Sequence, residues 1–311
     1  MAKGPRIVVV GSSNTDMVVK TQRIPAPGET VTGGTFFMPP GGKGANQAVA
    51  AARLGAEVTL VAKLGQDMFG DEAIEGYRRE GVLVDHILRD PEHHTGVALI
   101  IVDEQGENLI AVAPGANFAI RPEEVQGAAE RIRSADVVLL QLEIPIETVA
   151  FTARLAAEAG VTVVLDPAPA APLEGALLEH VHYLTPNESE AERLSGVRVA
   201  DEGSARKAAE ALLAAGARSV ILTLGARGAL VADGRRTFTV PSFPVEAADS
   251  TAAGDAFNGG LAVALGKGLP LEEAVRQANM VGALSVTRMG AQPSLPTEEE
   301  LRAFAQSAGA G

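Results

Sequence analysis

The regular exchange of short apolar runs with helical stretches is the feature that most constrains this chain. Arg6–Val10 is apolar after its first residue and stops at Gly11, as a strand covered on both faces at the centre of a parallel sheet would. A helix is expected over 43–54, a strand over 57–63 and a helix over 70–80. Past Pro122 the alternation is continuous: helices over 122–133, 146–159, near 173–179, up to Leu194 and over 202–215, with strands over 137–141, 161–165, 182–185 and 220–224 between them. A hairpin over 229–240, helices over 254–266 and 271–287, and a terminal segment over 293–307 follow. Parallel strands need crossover connections, usually helices, so this pattern predicts an α/β sheet covered on both sides. Two stretches break it. Between Val18 and Met38 short β-like pieces flank Ile24-Pro25-Ala26-Pro27-Gly28, and runs over 97–102 and 108–112 flank a polar turn as a hairpin. Together they predict a small separate sheet.

With 311 residues, 46% hydrophobic and 21% charged, the chain can bury a large core. A net charge of −13 argues against a nucleic-acid partner or an anionic membrane surface. The absence of cysteine excludes disulfides, thiol nucleophiles and Cys-ligated zinc. No apolar run approaches the roughly 18 residues of a membrane span, and the opening residues lack the apolar core of a signal peptide, so cytoplasmic residence is expected.

The chemistry concentrates in glycine-rich and acidic loops. In 246–260, Asp249 and Asp255 bracket a run of small residues, after which Phe257, Leu261, Ala264 and Leu265 share a helical face. The first turn of that helix leaves backbone N–H groups of Ala252 to Asp255 unpaired at its positive end, a site for a phosphate. An acid there repels phosphate, so Asp255 is either a helix cap or a base that takes a proton from an attacking hydroxyl. Ser12-Ser13-Asn14-Thr15-Asp16, past the first strand, suits a ligand rich in hydroxyls, or simply a turn. In Pro39-Pro40-Gly41-Gly42-Lys43-Gly44-Ala45-Asn46, the glycines permit close backbone approach and Lys43 and Asn46 fall in the first helical turn. It is not a Walker A loop, because Gly44 follows Lys43 where that motif needs Ser or Thr. Asn187 and Glu190 lie three apart at a helix start. They could face Mg²⁺ through its waters, or form a capping box. Gly225-Ala226-Arg227-Gly228 is another glycine turn beyond a strand end.

Taken together, Gly41-Gly42-Lys43-Gly44-Ala45-Asn46-Gln47-Ala48, Asn187-Glu188-Ser189-Glu190, Thr223-Leu224-Gly225-Ala226-Arg227-Gly228 and the 249–255 loop resemble the ribokinase family of carbohydrate kinases. The resemblance runs in order from about residue 6 to 305 and includes Pro27-Gly28-Glu29-Thr30, Thr95-Gly96-Val97-Ala98-Leu99 and Gly106-Glu107-Asn108. It implies a single three-layer α/β/α sandwich over 1–311, with a mostly parallel central sheet and a small β-sheet lid from about 15–40 and 95–113. The implied activity is ATP-dependent phosphorylation of D-ribose at O5, giving D-ribose 5-phosphate and ADP. Asp255 is then the general base, with the amides of Ala252, Ala253 and Gly254 as the anion hole. Asn14, Asp16, Gly42, Lys43, Asn46 and Glu143 match positions that bind the sugar; Asn187, Thr223, Gly225, Gly228, Gly254 and Asn279 match those around ATP. Glu190 matches the residue that orders the water shell of Mg²⁺. Asp249 and Thr251, with oxygens near Ser285, Arg288, Gly290 and Ser294, match a monovalent-cation site, usually K⁺. Ser250 departs from the Thr that members of the family often carry there. The resemblance also implies a homodimer through the lids. Another small-sugar or nucleoside kinase, or a non-catalytic binding protein on the same fold, are the alternatives.

Overall fold

The structure, a computed structural model, describes residues 4–307 and 309. Its strands are β1 (Arg6–Val10), β2 (Asn14–Lys20), β3 (Thr35–Phe37), β4 (Pro40–Gly41), β5 (Glu57–Gly65), β6 (Ile87–Asp90), β7 (Gly96–Val102), β8 (Asn108–Ala113), β9 (Val137–Leu140), β10 (Thr162–Leu165), β11 (Tyr183–Leu184), β12 (Val220–Thr223), β13 (Ala229–Ala232) and β14 (Thr237–Val240). Nine of them form the central sheet in the order β14-β13-β12-β11-β10-β9-β1-β5-β6. From β12 to β6 every neighbouring pair is parallel; β13 runs against them, pairing antiparallel with both β12 and β14.

Alternation along the strands divides the core between two faces. Val8, Val10, Leu140, Leu165 and Leu222 pack on one side with helices Ile146–Glu158 and Glu202–Ala214. Ile7, Val9, Leu139, Val164 and Ile221 pack on the other with helices Lys43–Arg53, Ala253–Gly266 and Leu271–Ser285. This is the expected three-layer sandwich. The second sheet has the order β3-β2-β7-β8, with β4 pairing to β2. As expected, it is built from the two stretches that broke the alternation.

Three details differ from the sequence reading. The polar cluster that opens at Ser12 is already strand from Asn14 on, because Asn14 to Lys20 pairs residue for residue with β7. The helix expected over 122–133 is instead α-helix at Pro122–Val125 and Ala129–Arg133, joined by a 3₁₀ turn at Gln126–Ala128 with the poor helix former Gly127 at its centre. Strand β6 was not anticipated; its pattern Ile-Leu-Arg-Asp is too short to show a period, and it exists by pairing with β5.

Two glycines set the geometry that matters later. Gly42, at φ 88°, precedes helix Lys43–Arg53, and a Cβ there would lie 2.7 Å from the Asn14 nitrogen. A Cβ on Gly259 would meet the Ala50 Cβ at 2.5 Å. Helices Lys43–Arg53 and Ala253–Gly266 therefore touch almost backbone to backbone.

Candidate active site

Chemistry-bearing side chains collect at the carboxyl ends of the parallel strands, where α/β sheets bind ligands. Ser12 follows β1, Gln141 and Glu143 follow β9, Asp166 follows β10, Thr185 and Asn187 follow β11, and Thr223 ends β12. The two touching helices bring Lys43, Asn46 and Gln47 against Asp255. A cavity of about 220 Å³ opens here, walled by Lys43, Asp166, Thr185, Asn187, Glu190 and Thr223 on one side and by Ser250, Ala252, Ala253, Gly254, Asp255 and Asn258 on the other.

The 246–260 loop enters its helix through strain. Ala252 has φ 59°, the only positive φ among the described non-glycine residues, and caps helix Ala253–Gly266. Such a conformation costs on the order of 1–3 kcal/mol and persists because its surroundings impose it. The Ala253 amide is turned back to the Ser250 carbonyl at 3.2 Å, and the next helical bond begins with Ala256 donating to Ala252 O at 2.8 Å. The amides of Gly254 and Asp255, within the first turn, have no intrahelical partner.

Asp255 is buried, with both oxygens held: Asn46 Nδ2 donates to Oδ2 at 2.9 Å and Gln47 Nε2 to Oδ1 at 3.1 Å. Burial raises its carboxyl above the ordinary value, while Lys43 and the two amides pull it down and Glu143 pushes it up. For Lys43 burial works against the charge, but Asp166, Asp255, Glu143 and Glu190 outweigh it and raise the ammonium above its ordinary value. Asp16 is pushed up to about 7 by burial, Glu143 and Asp255.

The remaining residues singled out in the sequence fall into three groups. Asn14 Oδ1 accepts from Asn117 Nδ2 at 2.7 Å, and Glu143 Oε2 accepts from Ser12 Oγ at 2.5 Å and from the Lys43 amide at 3.0 Å; Asp16 is faced by Glu143 and Asp255, and Asn46 N donates to Gly42 O at 2.9 Å. Asn187 and Glu190 do form the capping box, with Glu190 N donating to Asn187 Oδ1 and Asn187 N to Glu190 Oε2, each at 2.9 Å. Both still wall the cavity. Gly225 and Gly228 form the turn after β12, and neither they nor Asn279 line the cavity; Asn279 spends its amide on the Val240 and Pro241 carbonyls at 3.0 and 3.2 Å. Around Asp249, Oδ1 accepts from Thr251 N and Oγ1 at 2.9 and 2.6 Å, and Oδ2 from Gly290 N at 2.8 Å. Those bonds, outweighing burial, hold Asp249 below the ordinary carboxylate value and join its loop to the 286–290 segment. Ser285 and Ser294 are buried with hydroxyls bonded to Gly282 O and Ala291 O, while Arg288 pairs with Glu300 at 2.7 Å.

The sequence matches the pfkB family of carbohydrate kinases over residues 5–298. The chain belongs to that family. A ribokinase from Haemophilus influenzae is 43% identical over 302 residues, covering 97% of this chain and 99% of its own. A deoxyribokinase from Salmonella typhi is 36% identical over 299 residues, covering 96% and 98%. The structure of Arabidopsis thaliana ribokinase complexed with ribose and ATP superimposes with a TM-score of 0.91 at 33% identity, covering 97% of this chain and 98% of that one.

For a carbohydrate kinase, which uses ATP, the cavity holds one acid that no motif announced. Asp166 is the first residue beyond β10, and the rule that ligands sit past parallel strand ends was the signal that could have found it. Burial pushes its carboxyl up to about 8; Lys43 opposes this, and Asp255, Glu190 and Glu143 add to it. Between the ordinary 3.8 and about 8, the folded kinase keeps a proton that the unfolded chain has released, so this group's contribution to stability falls as pH rises through that window. Asp166→Asn keeps the shape without the charge. It is expected to raise the Tm of the ligand-free protein at pH 8 and to raise it less at pH 5; a lower Tm than the parent at pH 8 contradicts the assignment.

Proposed function

We propose that this kinase transfers the γ-phosphoryl group of ATP to O5 of D-ribose, giving D-ribose 5-phosphate and ADP, with Asp255 as the general base. The observation that carries the reading is a buried carboxylate in the first turn of helix Ala253–Gly266, held by two side-chain amides beside a cationic lysine. Asp255 accepts the O5 proton as O5 attacks the γ-phosphorus and the bond to the ADP oxygen breaks. Of the amides expected to form the anion hole, that of Ala253 is spent on the Ser250 carbonyl; those of Ala252 and Gly254, joined by Asp255, face the charge on the transferring group, with Lys43 beside them. Asn14, Asp16, Gly42, Lys43, Asn46 and Glu143 hold the sugar, and Asn187, Thr223, Gly225, Gly228 and Gly254 hold ATP. Asn279 serves ATP at one remove, by ordering the chain at Val240 and Pro241.

The charge balance fits a divalent cation, since four carboxylates act on Lys43. Mg²⁺ bound through its waters by Glu190 and Asp166 would supply neutralisation of the ATP phosphates. Asp249, ionised and joined to Gly290, fits a monovalent cation, K⁺, together with Thr251 and oxygens near Ser285, Arg288, Gly290 and Ser294. Such an ion would steady the turn that carries Ala252.

The side chains assigned to the sugar, those of Asn14, Asp16, Lys43, Asn46 and Glu143, are all polar, and Phe36, Phe37 and Phe118 are exposed rather than forming a slot for a base. Groups built to bond a hydroxyl reject an analogue without it by roughly 10⁴ or more when they are left unpaired. One panel tests all of this. Ribose is expected to exceed 2-deoxyribose, adenosine and fructose 6-phosphate in kcat/KM, K⁺ to activate over Na⁺, and Asp255→Asn to lose roughly 10²–10⁴-fold in kcat. Preference for 2-deoxyribose or adenosine sinks the substrate, equal rates in K⁺ and Na⁺ sink the cation, and near-parent turnover by Asp255→Asn sinks the base.

The second sheet, about 15–40 and 95–113, is read as a lid on a single α/β domain, excluding water that would otherwise take the phosphoryl group. Its strand β8 is exposed throughout, and Leu99, Leu109, Ile110 and Val112 each leave more than half of their surface to solvent. An open apolar sheet face calls for a cover, and a second lid supplies it in a homodimer. Among the described residues no helix is long and apolar enough to cross a membrane. Our reading of the kinase as cytoplasmic rests on its need for ATP. Sedimentation at micromolar concentration is expected to give a dimer; a monomer there contradicts the lid contact.

A further inference from the structure

Behind Asp255 lies Gln47, fully buried and on no wall of the cavity. Its Nε2 donates to Asp255 Oδ1 at 3.1 Å and to Asp166 Oδ2 at 2.9 Å, and its Oε1 accepts from Gln141 Nε2 at 2.6 Å. An amide nitrogen carries two hydrogens, so each acid takes one, and the carbonyl end is committed to Gln141. Four segments meet at this side chain: helix Lys43–Arg53, the residue after β9, the residue after β10 and helix Ala253–Gly266. Turning the amide over would set its oxygen against the Asp255 carboxylate and its nitrogen against the Gln141 nitrogen. Both contacts would become repulsive.

Gln141 adds a second observation. Its Oε1 is buried without a partner, the only such side-chain atom among the described residues. A glutamine present only to fill space would be better replaced by an apolar residue, because an unsatisfied buried carbonyl is destabilising. What Gln141 does supply is the donor that orients Gln47.

We propose that Gln47, oriented by Gln141, is a positioning residue that fixes the rotation of the Asp255 carboxylate, and so the lone pair it offers to the attacking hydroxyl, while tying Asp166 to the same nitrogen. This rests on the reading of Asp255 as the base. Both glutamines are fully buried, with their side-chain groups turned to one another and to the two acids, so neither is placed to bond the substrate directly. Asp255 is also faced by Lys43 from its own helix partner, by Asp16 from β2, by Glu143 beyond β9 and by Asp166 beyond β10, with Glu190 facing Lys43 and Asp166. The Gln47 donor is one of the few groups that favour the ionised base against burial and these acids. Its loss makes Asp255 ionise at higher pH.

Gln47→Met and Gln141→Met test this, with ribose turnover measured from pH 5 to 9 at saturating ATP and Mg²⁺ beside the parent and Asp255→Asn. Gln47→Met is expected to lower kcat by about tenfold or more, to leave the ribose KM within about twofold, and to move the acid limb of kcat/KM to higher pH. Gln141→Met is expected to shift both in the same direction by less. If Gln47→Met fails to fold in a thermal melt, the Gln141→Met profile decides alone. A parent-like profile, or a fall in kcat with the acid limb unmoved, overturns the proposal. Near-parent turnover by Asp255→Asn is a different failure, that of the base itself.

Discussion

The arrangement depends on the contact between helices Lys43–Arg53 and Ala253–Gly266. Because Gly259 offers no Cβ to Ala50, the two helices approach closely enough for Asn46 and Gln47 to reach both oxygens of Asp255. The bonds of 2.9 and 3.1 Å across that seam join residues more than 200 positions apart in sequence. Everything that suits Asp255 to the proposed role of base follows from this seam: its burial, its orientation and its nearness to Lys43. The strained Ala252 turn then brings unpaired amides to the same place, so the proposed anion site and the proposed base share one turn of helix.

A cost accompanies the arrangement. Asp16, Glu143, Asp166, Glu190 and Asp255 crowd a region served by Lys43, and burial leaves Asp16 and Asp166 holding protons well above the ordinary carboxylate range. Such crowding destabilises the empty protein and favours whatever cations and hydrogen-bond donors arrive with ATP and sugar. Binding energy and catalytic charge therefore come from one source. A protein selected for stability alone would not keep five acids here.

Much of this was legible in the sequence, for identifiable reasons. The strands of the parallel sheet were visible because burial on both faces demands unbroken apolar runs, and the glycine loops because only certain residues tolerate their backbone. Asp255 stood out because an acid at a phosphate-binding helix start conflicts with local electrostatics. Strand β6 did not, since four residues carry no period and their state is decided by the partner β5. Gln47 and Gln141 were silent for a related reason: on a helix and at a strand end each reads as an ordinary residue, and only the packing of four segments makes them meet. Asn187 and Glu190 show the opposite limit, where one spacing served both a capping box and a place on the cavity wall.

The central claim is that packing, rather than any single motif, turns Asp255 into a base able to hold a proton. Its titration is the most direct measurement. With aspartate carboxyls labelled in carbon-13 and the Asp255 resonance assigned by its loss in Asp255→Asn, the ligand-free protein is expected to show a midpoint above the ordinary 3.8. A midpoint at or below that value would mean that Lys43 and the two amides outweigh burial, contradicting the account.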